Sequence, residues 1–81
     1  MTNSKLLKEK IRDSGYKFLF LAEKMGLSRQ GLYLKVNGTN DFTVPEMIKL
    51  CDLIGIDSLE EREEIFFASE VDKKQPRYQN E

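Results

Sequence analysis

The chain has 81 residues, 40% of them hydrophobic, which is enough for one small packed domain and leaves no room for a second core. No apolar run approaches membrane-spanning length, and the polar, basic start lacks the apolar segment of a signal peptide, so we expect a cytoplasmic protein. The formal charge is −1, and the chain has no histidine and one cysteine, which excludes an internal disulfide and any site built on histidine.

Apolar residues recur at helical spacing along most of the chain, and no alternating run of β-branched residues indicates a strand. The pattern therefore predicts an all-α fold, a compact bundle of about five helices. The predicted helices are helix 1 (4–14), helix 2 (18–25), helix 3 (29–36), helix 4 (from a cap at 43 to 54) and helix 5 (from 58 to near 68).

The segment from 18 to 38 predicts two short helices around one tight turn. Gly26 can adopt the positive φ that such a turn requires, and Ala22, one helical turn earlier, is small enough for the second helix to cross closely. Ser28 can cap the second helix by accepting a hydrogen bond from a free backbone N–H. This layout is typical of a DNA-binding helix-turn-helix, whose second helix enters the major groove.

The helices on either side carry their own signals. In helix 1, Leu7 and Ile11 share the face that we expect to be buried. The run Thr43-Val44-Pro45-Glu46 predicts a capping box at the start of helix 4, with the proline in the first turn, where its missing N–H costs nothing. Residues 58–61 repeat the capping pattern at the start of helix 5.

The small net charge hides a strong asymmetry along the chain. Residues 1–40 carry eight Lys or Arg and three Asp or Glu, a formal charge of +5, whereas residues 41–81 carry five and eleven, a formal charge of −6. We therefore expect one basic face and one acidic face. Because salt screens charges beyond about 8 Å, the local charge decides whether phosphate can be contacted, and the overall acidity does not exclude DNA.

We divide the chain into a helix-turn-helix domain, residues 1–69, and a polar tail, residues 70–81. The tail contains one proline and shows no periodicity, so we expect it to be disordered. Helix 5 is accordingly predicted to end near Ala68.

No residue pattern supports catalysis, a metal site or a cofactor. Cys51 lies on the apolar face of helix 4, where a small core residue is expected rather than a reactive thiol. The acidic cluster of helix 5 fits a solvated helical face, since Glu60 and Glu61 occupy the first turn, where the helix dipole favours negative charge. We expect a protein that is not an enzyme and binds no metal or cofactor.

With these residues the chain resembles the Cro/cI-type phage repressor family, which consists of small helix-turn-helix DNA-binding regulators. The resemblance runs from about Leu6 to Phe67 and is carried by the turn glycine, the capped second helix and the capping box that follows. It implies a lambda-repressor-like bundle that binds double-stranded operator DNA as a dimer on paired half-sites and blocks polymerase sterically. Because no long C-terminal domain follows, we expect the homodimer to be weak or assisted by DNA.

The resemblance also implies roles for residues around the turn. The start of helix 3 matches the segment that contacts DNA in the family, so Arg29 and Gln30 are expected to read bases, guanine and adenine respectively. Tyr33, one turn later, is a third base-reading candidate; partial burial against helix 2 is the other possibility. The expected phosphate contacts are Lys17, Ser28, Lys35 and Asn37.

Two positions depart from the family pattern. Phe18 stands where many members carry glutamine, so that a phosphate contact is either lost or passed to Lys17. Lys35 stands where an apolar residue is common, but Leu32 and Val36 still share one face, so helix 3 can pack.

A second function stays open, that of a protein-interaction module that modulates another repressor or a partner protein. Its surface would be the acidic helix 5, where Phe66 and Phe67 point about 100° apart. Either both pack inside, or one is exposed as a dimer or partner contact. By the same geometry the four apolar residues 18–21 cannot all face inward, so Leu19 or Phe20 is expected to be partly exposed.

Overall fold

The computed structural model describes residues 2–74, with the side chains of residues 2–67. Within that range every regular element is an α-helix, which confirms the predicted all-α fold. None of these helices has both the length and the apolar character that a bilayer crossing demands. In chain order they are α1 (Ser4–Ser14), α2 (Phe18–Lys24), α3 (Arg29–Val36), α4 (Val44–Ile54) and α5 (Leu59–Lys74).

α1 occupies the centre of the helix packing, because it contacts α3, α4 and α5, while α2 packs against α3. Each helix turns an apolar stripe inward, and within the described side chains the core holds no polar or charged residue. All five helices are therefore fastened to one core. Each helix contributes at least one fully buried side chain to this core; from α1 to α5 these are Leu7, Leu21, Leu32, Leu50 and Ile65.

The turn between α2 and α3 is closed by the two hydrogen bonds of a Schellman motif. The Leu27 N–H donates to the Ala22 carbonyl (2.9 Å), and the Gly26 N–H donates to the Glu23 carbonyl (3.1 Å). Gly26 has a φ of 72°, which L side chains rarely adopt, so the predicted role of this glycine is confirmed. The direction in which α3 leaves the turn is thus set by backbone bonds.

The connection between α3 and α4 is tied at both ends. At the end of α3, the Thr39 N–H donates to the Leu34 carbonyl (2.9 Å). At the start of α4, the Thr43 Oγ1 accepts from the Glu46 N–H (3.3 Å) and the Thr43 N–H donates to Glu46 Oε1 (2.8 Å), which confirms the capping box. Between the two ends Phe42 is buried in the core.

α5 is longer than predicted. It begins as expected, with the Ser58 Oγ accepting from the Glu61 N–H (3.3 Å), but the predicted end near Ala68 is wrong, because the helix continues to Lys74. The segment from 68 to 74 contains neither proline nor glycine, so nothing in it stops a helix. α5 thus runs into the segment predicted as a tail, and residues 75–81 of that segment lie outside the described residues.

Adjacent apolar residues divide between core and surface, as helix geometry requires. In α2, Leu21 is buried whereas Leu19 and Phe20 are partly exposed. In α5, Phe66 is buried and Phe67 is 42% exposed. The structure thereby chooses the alternative in which one of the two phenylalanines is accessible, and its use as a contact stays a prediction.

Candidate nucleic-acid interface

One face of α3 presents polar and aromatic side chains to solvent. At about 100° per residue, Arg29, Gln30, Tyr33 and Asn37 fall within an arc of about 100°, and all four are exposed. Among the described side chains, no hydrogen bond or ion pair engages Arg29, Gln30 or Tyr33. These four residues, which we call the α3 stripe, therefore offer a cation, two amides and a phenol to another molecule.

The α3 stripe borders an open cleft of about 570 Å³, lined by Phe18 at the start of α2 and by Arg29, Gln30 and Tyr33. The sequence left two possibilities for Tyr33, contact with DNA or partial burial against α2. Its exposed fraction of 50% lies between a buried and a fully accessible side chain. Tyr33 lines the cleft together with Phe18, and half of its surface is accessible. The three base-reading candidates thus share one surface, as predicted.

Two of the predicted phosphate contacts lie at the ends of α3. The Ser28 Oγ accepts a hydrogen bond from the Gly31 N–H (2.9 Å) and so caps the helix, as the sequence predicts. A hydroxyl has one proton and two lone pairs, so Ser28 can cap and still donate to a phosphate. At the other end, the Asn37 Oδ1 accepts from Lys8 Nζ (3.3 Å), which leaves the Asn37 amide N–H₂ to donate.

Lys17 takes a third position, at the residue that precedes α2. Its backbone is extended, its side chain is exposed, and it makes no side-chain capping bond to the helix. Because Phe18 follows it directly and lines the cleft, Lys17 stands at the same end of α2 as the cleft. Its ammonium is available for a phosphate there.

Lys35 is placed apart from the other candidates. It lies roughly 170° around α3 from the centre of the stripe. Its Nζ is 3.0 Å from Glu46 Oε1 and donates to the Asp41 carbonyl (2.9 Å), and its side chain is only 17% exposed. We therefore remove Lys35 from the set of phosphate contacts, because its ammonium faces α4 and is already neutralised.

Two cations that the sequence did not single out complete the surface. Lys8 and Arg12, exposed and four residues apart on α1, line a depression together with Tyr33. Lys8 also reaches Asn37 of the stripe. Their spacing on one helical face was a readable signal, but only the packing of α1 against α3 shows which surface they join.

The remaining charges of α1 and α5 belong to a different side of the molecule. Lys10 pairs with Glu61 (3.0 Å), and the hydrogen bond and charge of that carboxylate raise the pKa of Lys10. The exposed carboxylates Glu60, Glu63 and Glu64 follow on α5. α1 thus directs Lys10 toward the acidic helix, whereas Lys8 and Arg12 lie beside α3.

Comparisons with protein-family models, with curated proteins and with solved structures give no match. A function for this surface therefore has to be argued from its own residues. Its chemistry suits a polyanion: cations and hydrogen-bond donors surround a half-exposed tyrosine, and among the described residues no Asp or Glu lines the cleft beside the stripe.

Proposed function

We propose that the protein is a sequence-specific DNA-binding transcriptional regulator that inserts α3 into the major groove of double-stranded DNA. The observation that supports this most is the α3 stripe, a group of accessible side chains on one arc of a short helix. That helix starts just after the Schellman motif that ends α2, is capped by Ser28, and carries the exposed Arg29 and Gln30 in its first turn. In this proposal α2, the turn and α3 act as a helix-turn-helix.

The stripe has the chemistry that base edges require. Arg29 would donate two bonds to guanine O6 and N7, and Gln30 would pair with adenine N6 and N7. Tyr33 would contact a thymine methyl or donate to a phosphate. Each good bidentate pair is worth about 1–3 kcal/mol of discrimination against the wrong base, so two of them suffice for useful selectivity.

Phosphate contacts on both sides of the stripe would set its register in the groove. Lys17 and Ser28 lie at the cleft end, and Asn37 lies at the far end with Lys8 beside it. Arg12 extends the basic surface along α1. A surface with this few cations binds random DNA weakly at physiological salt, so the base contacts have to supply the preference.

The regulator would act as a phage- or prophage-type repressor. A single small domain reads only a few base pairs, whereas two associated copies read two half-sites, and association makes the second binding event intramolecular. A homodimer on an operator blocks polymerase by occupying its path, which requires neither catalysis nor a cofactor. The assembly would be weak in free solution and assisted by DNA.

The proposal is tested by fluorescence anisotropy of the purified chain against DNA fragments from around its own gene, at several salt concentrations. We expect one fragment to bind at least tenfold more tightly than random DNA, with affinity falling steeply as salt rises. Binding that never exceeds that of random DNA would overturn the proposal.

One observation favours a second candidate, a protein-interaction module that works through α5. Leu59 and Phe67 are 71% and 42% exposed on the helix that carries the acidic cluster. They are eight residues apart, which is about 80° around the helix axis. In that case DNA affinity would not depend on the DNA sequence. Phe67→Ser would release a co-purified partner, whereas Arg29→Ala would not.

A further inference from the structure

A second depression, of about 320 Å³, opens between α1 and α3 and shares Phe18 and Tyr33 with the cleft beside the α3 stripe. Tyr16, in the segment between α1 and α2, adds a third aromatic wall. The cations Lys8 and Arg12 stand at its rim on α1. We call the two adjoining depressions the aromatic groove; each has a volume in the range of small-molecule sites, about 300–1,000 Å³.

The Tyr16 ring is held in place although it is 48% exposed. It stacks on Phe20, with ring centroids 5.2 Å apart and the planes inclined by 19°. Phe20 in turn lies under Lys24, whose Nζ is 5.5 Å from the ring centroid. Because the ring is already ordered by these contacts, a planar ligand that stacks on it loses little further side-chain entropy.

We propose that the aromatic groove is a binding site for single-stranded nucleic acid, with unpaired bases stacking on Tyr16 and Tyr33 and flanking phosphates held by Lys8 and Arg12. Exposed aromatic rings beside cations are the general chemistry of such sites, since every base has a π face and every nucleotide a phosphate. A duplex buries those faces and offers only base edges. The proposal therefore adds a ligand class to duplex recognition and does not depend on it.

The charges around the groove favour this occupant. Within residues 2–67, whose side chains the structure describes, no Asp or Glu lines either depression. Arg12 of the rim lies near Asp13, whose Oδ1 is 3.7 Å from Arg12 Nε, and both side chains are largely exposed, so the pair is loose and screened by water. An acidic peptide would satisfy the cations but would leave the three aromatic walls with fewer planar partners.

The test compares two ligands of equal charge. Fluorescence anisotropy at low salt measures the affinity of the protein for two labelled ligands. One is a twelve-nucleotide oligo-dT, and the other is a twelve-unit abasic deoxyribose-phosphate oligomer, which keeps the phosphates and lacks the bases. We expect oligo-dT to bind at least about tenfold more tightly. Equal affinities would overturn the proposal, because the groove would then hold a polyanion without stacking.

The variant pair Tyr16→Leu and Phe67→Leu locates the effect. Both replace a partly exposed aromatic ring, one in the groove and one on the acidic helix. Tyr16→Leu should weaken oligo-dT binding about tenfold and leave duplex binding unchanged, since Tyr16 is outside the α3 stripe. Phe67→Leu should leave oligo-dT binding unchanged. An unaffected Tyr16→Leu variant with native circular dichroism overturns the proposal, as does preference for a glutamate- and tyrosine-rich peptide over oligo-dT. If the protein bound oligo-dT but showed no sequence preference among duplexes, the proposed repressor function would be rejected and the single-strand site would stand.

Discussion

Lys35 and Glu46 form an ion pair that joins α3 to the capping box of α4. Lys35 Nζ lies 3.0 Å from Glu46 Oε1, and the same oxygen accepts the Thr43 N–H at 2.8 Å. Lys35 also donates to the Asp41 carbonyl (2.9 Å). One side chain thus holds both the loop after α3 and the first turn of α4, and both partners are mostly shielded from solvent. The orientation of α3 depends on this junction as well as on the turn that precedes it.

Lys35→Ala should therefore lower stability and leave phosphate binding intact. We expect the free energy of unfolding to fall by about 1–2 kcal/mol, because the Asp41 carbonyl and the Glu46 carboxylate each lose a charged partner. The dependence of DNA affinity on salt should keep its slope. Urea denaturation measures the first quantity and anisotropy the second, with Lys49→Ala, an exposed lysine of α4, as the matched control. A slope reduced by about one with unchanged stability would restore Lys35 as a phosphate contact.

Arg29→Ala tests base reading by the α3 stripe. The change should cost about 1–3 kcal/mol on the preferred DNA site and relax the preference at one base pair, because a bidentate contact to guanine is lost. Anisotropy against the site and its single-base-pair variants measures both effects. Gln30→Ala should relax a different base pair. An equal loss on specific and random DNA would show that Arg29 contacts only phosphate.

Lys17→Ala is expected to act on all DNA alike. Lys17 is exposed and makes no side-chain capping bond, so its removal should not change the melting temperature. It should weaken specific and random binding by similar factors and lower the salt slope by about one, because one phosphate loses its cation. A change in sequence preference would contradict this role.

Acid should weaken the α3–α4 junction through Glu46. Partial burial acts to raise the pKa of Glu46, but the hydrogen bonds from the Thr43 N–H and from Lys35 outweigh it, so the pKa lies below its ordinary value of 4.5. A pKa lowered by folding contributes stability above the ordinary value, and that stability is lost as the pH falls through the folded-state value. Urea midpoints of the wild type and of Glu46→Gln should thus differ near neutral pH and converge as the pH falls below 4.5 and through the folded-state value. A constant gap over that range would exclude the coupling.

Cys51 should be protected from alkylation in the folded protein. Its side chain is 1% exposed, and burial raises the pKa of the thiol, so both access and thiolate formation are reduced. Labelling with iodoacetamide at about pH 8, followed by mass spectrometry, should be at least tenfold slower in buffer than in urea. Rapid labelling of the native chain would mean that the inner face of α4 opens readily.

Most of the local architecture was readable from the sequence because its determinants are short-range. A glycine at 26, a serine at 28 and the pair Thr43 and Glu46 each act on backbone groups within about four residues, and each did so as predicted. The predicted end of α5 is wrong, because the polar composition after residue 68 does not stop the helix. A helix needs a proline, a glycine or a competing contact to end, and polarity alone supplies none of these.

Local patterns are thus enough to predict five helices, the turn and which side of α3 faces outward, since helical periodicity assigns each residue a direction around the helix axis. They do not predict the end of α5 or the residue that lies opposite each charge. Lys35 and Lys8 are both lysines on amphipathic helices, yet Lys35 meets Glu46 of α4 while Lys8 stands beside Asn37 of the stripe. That difference comes from how α1, α3 and α4 pack around one core, and such packing depends on contacts between residues far apart in the chain, which local patterns do not encode.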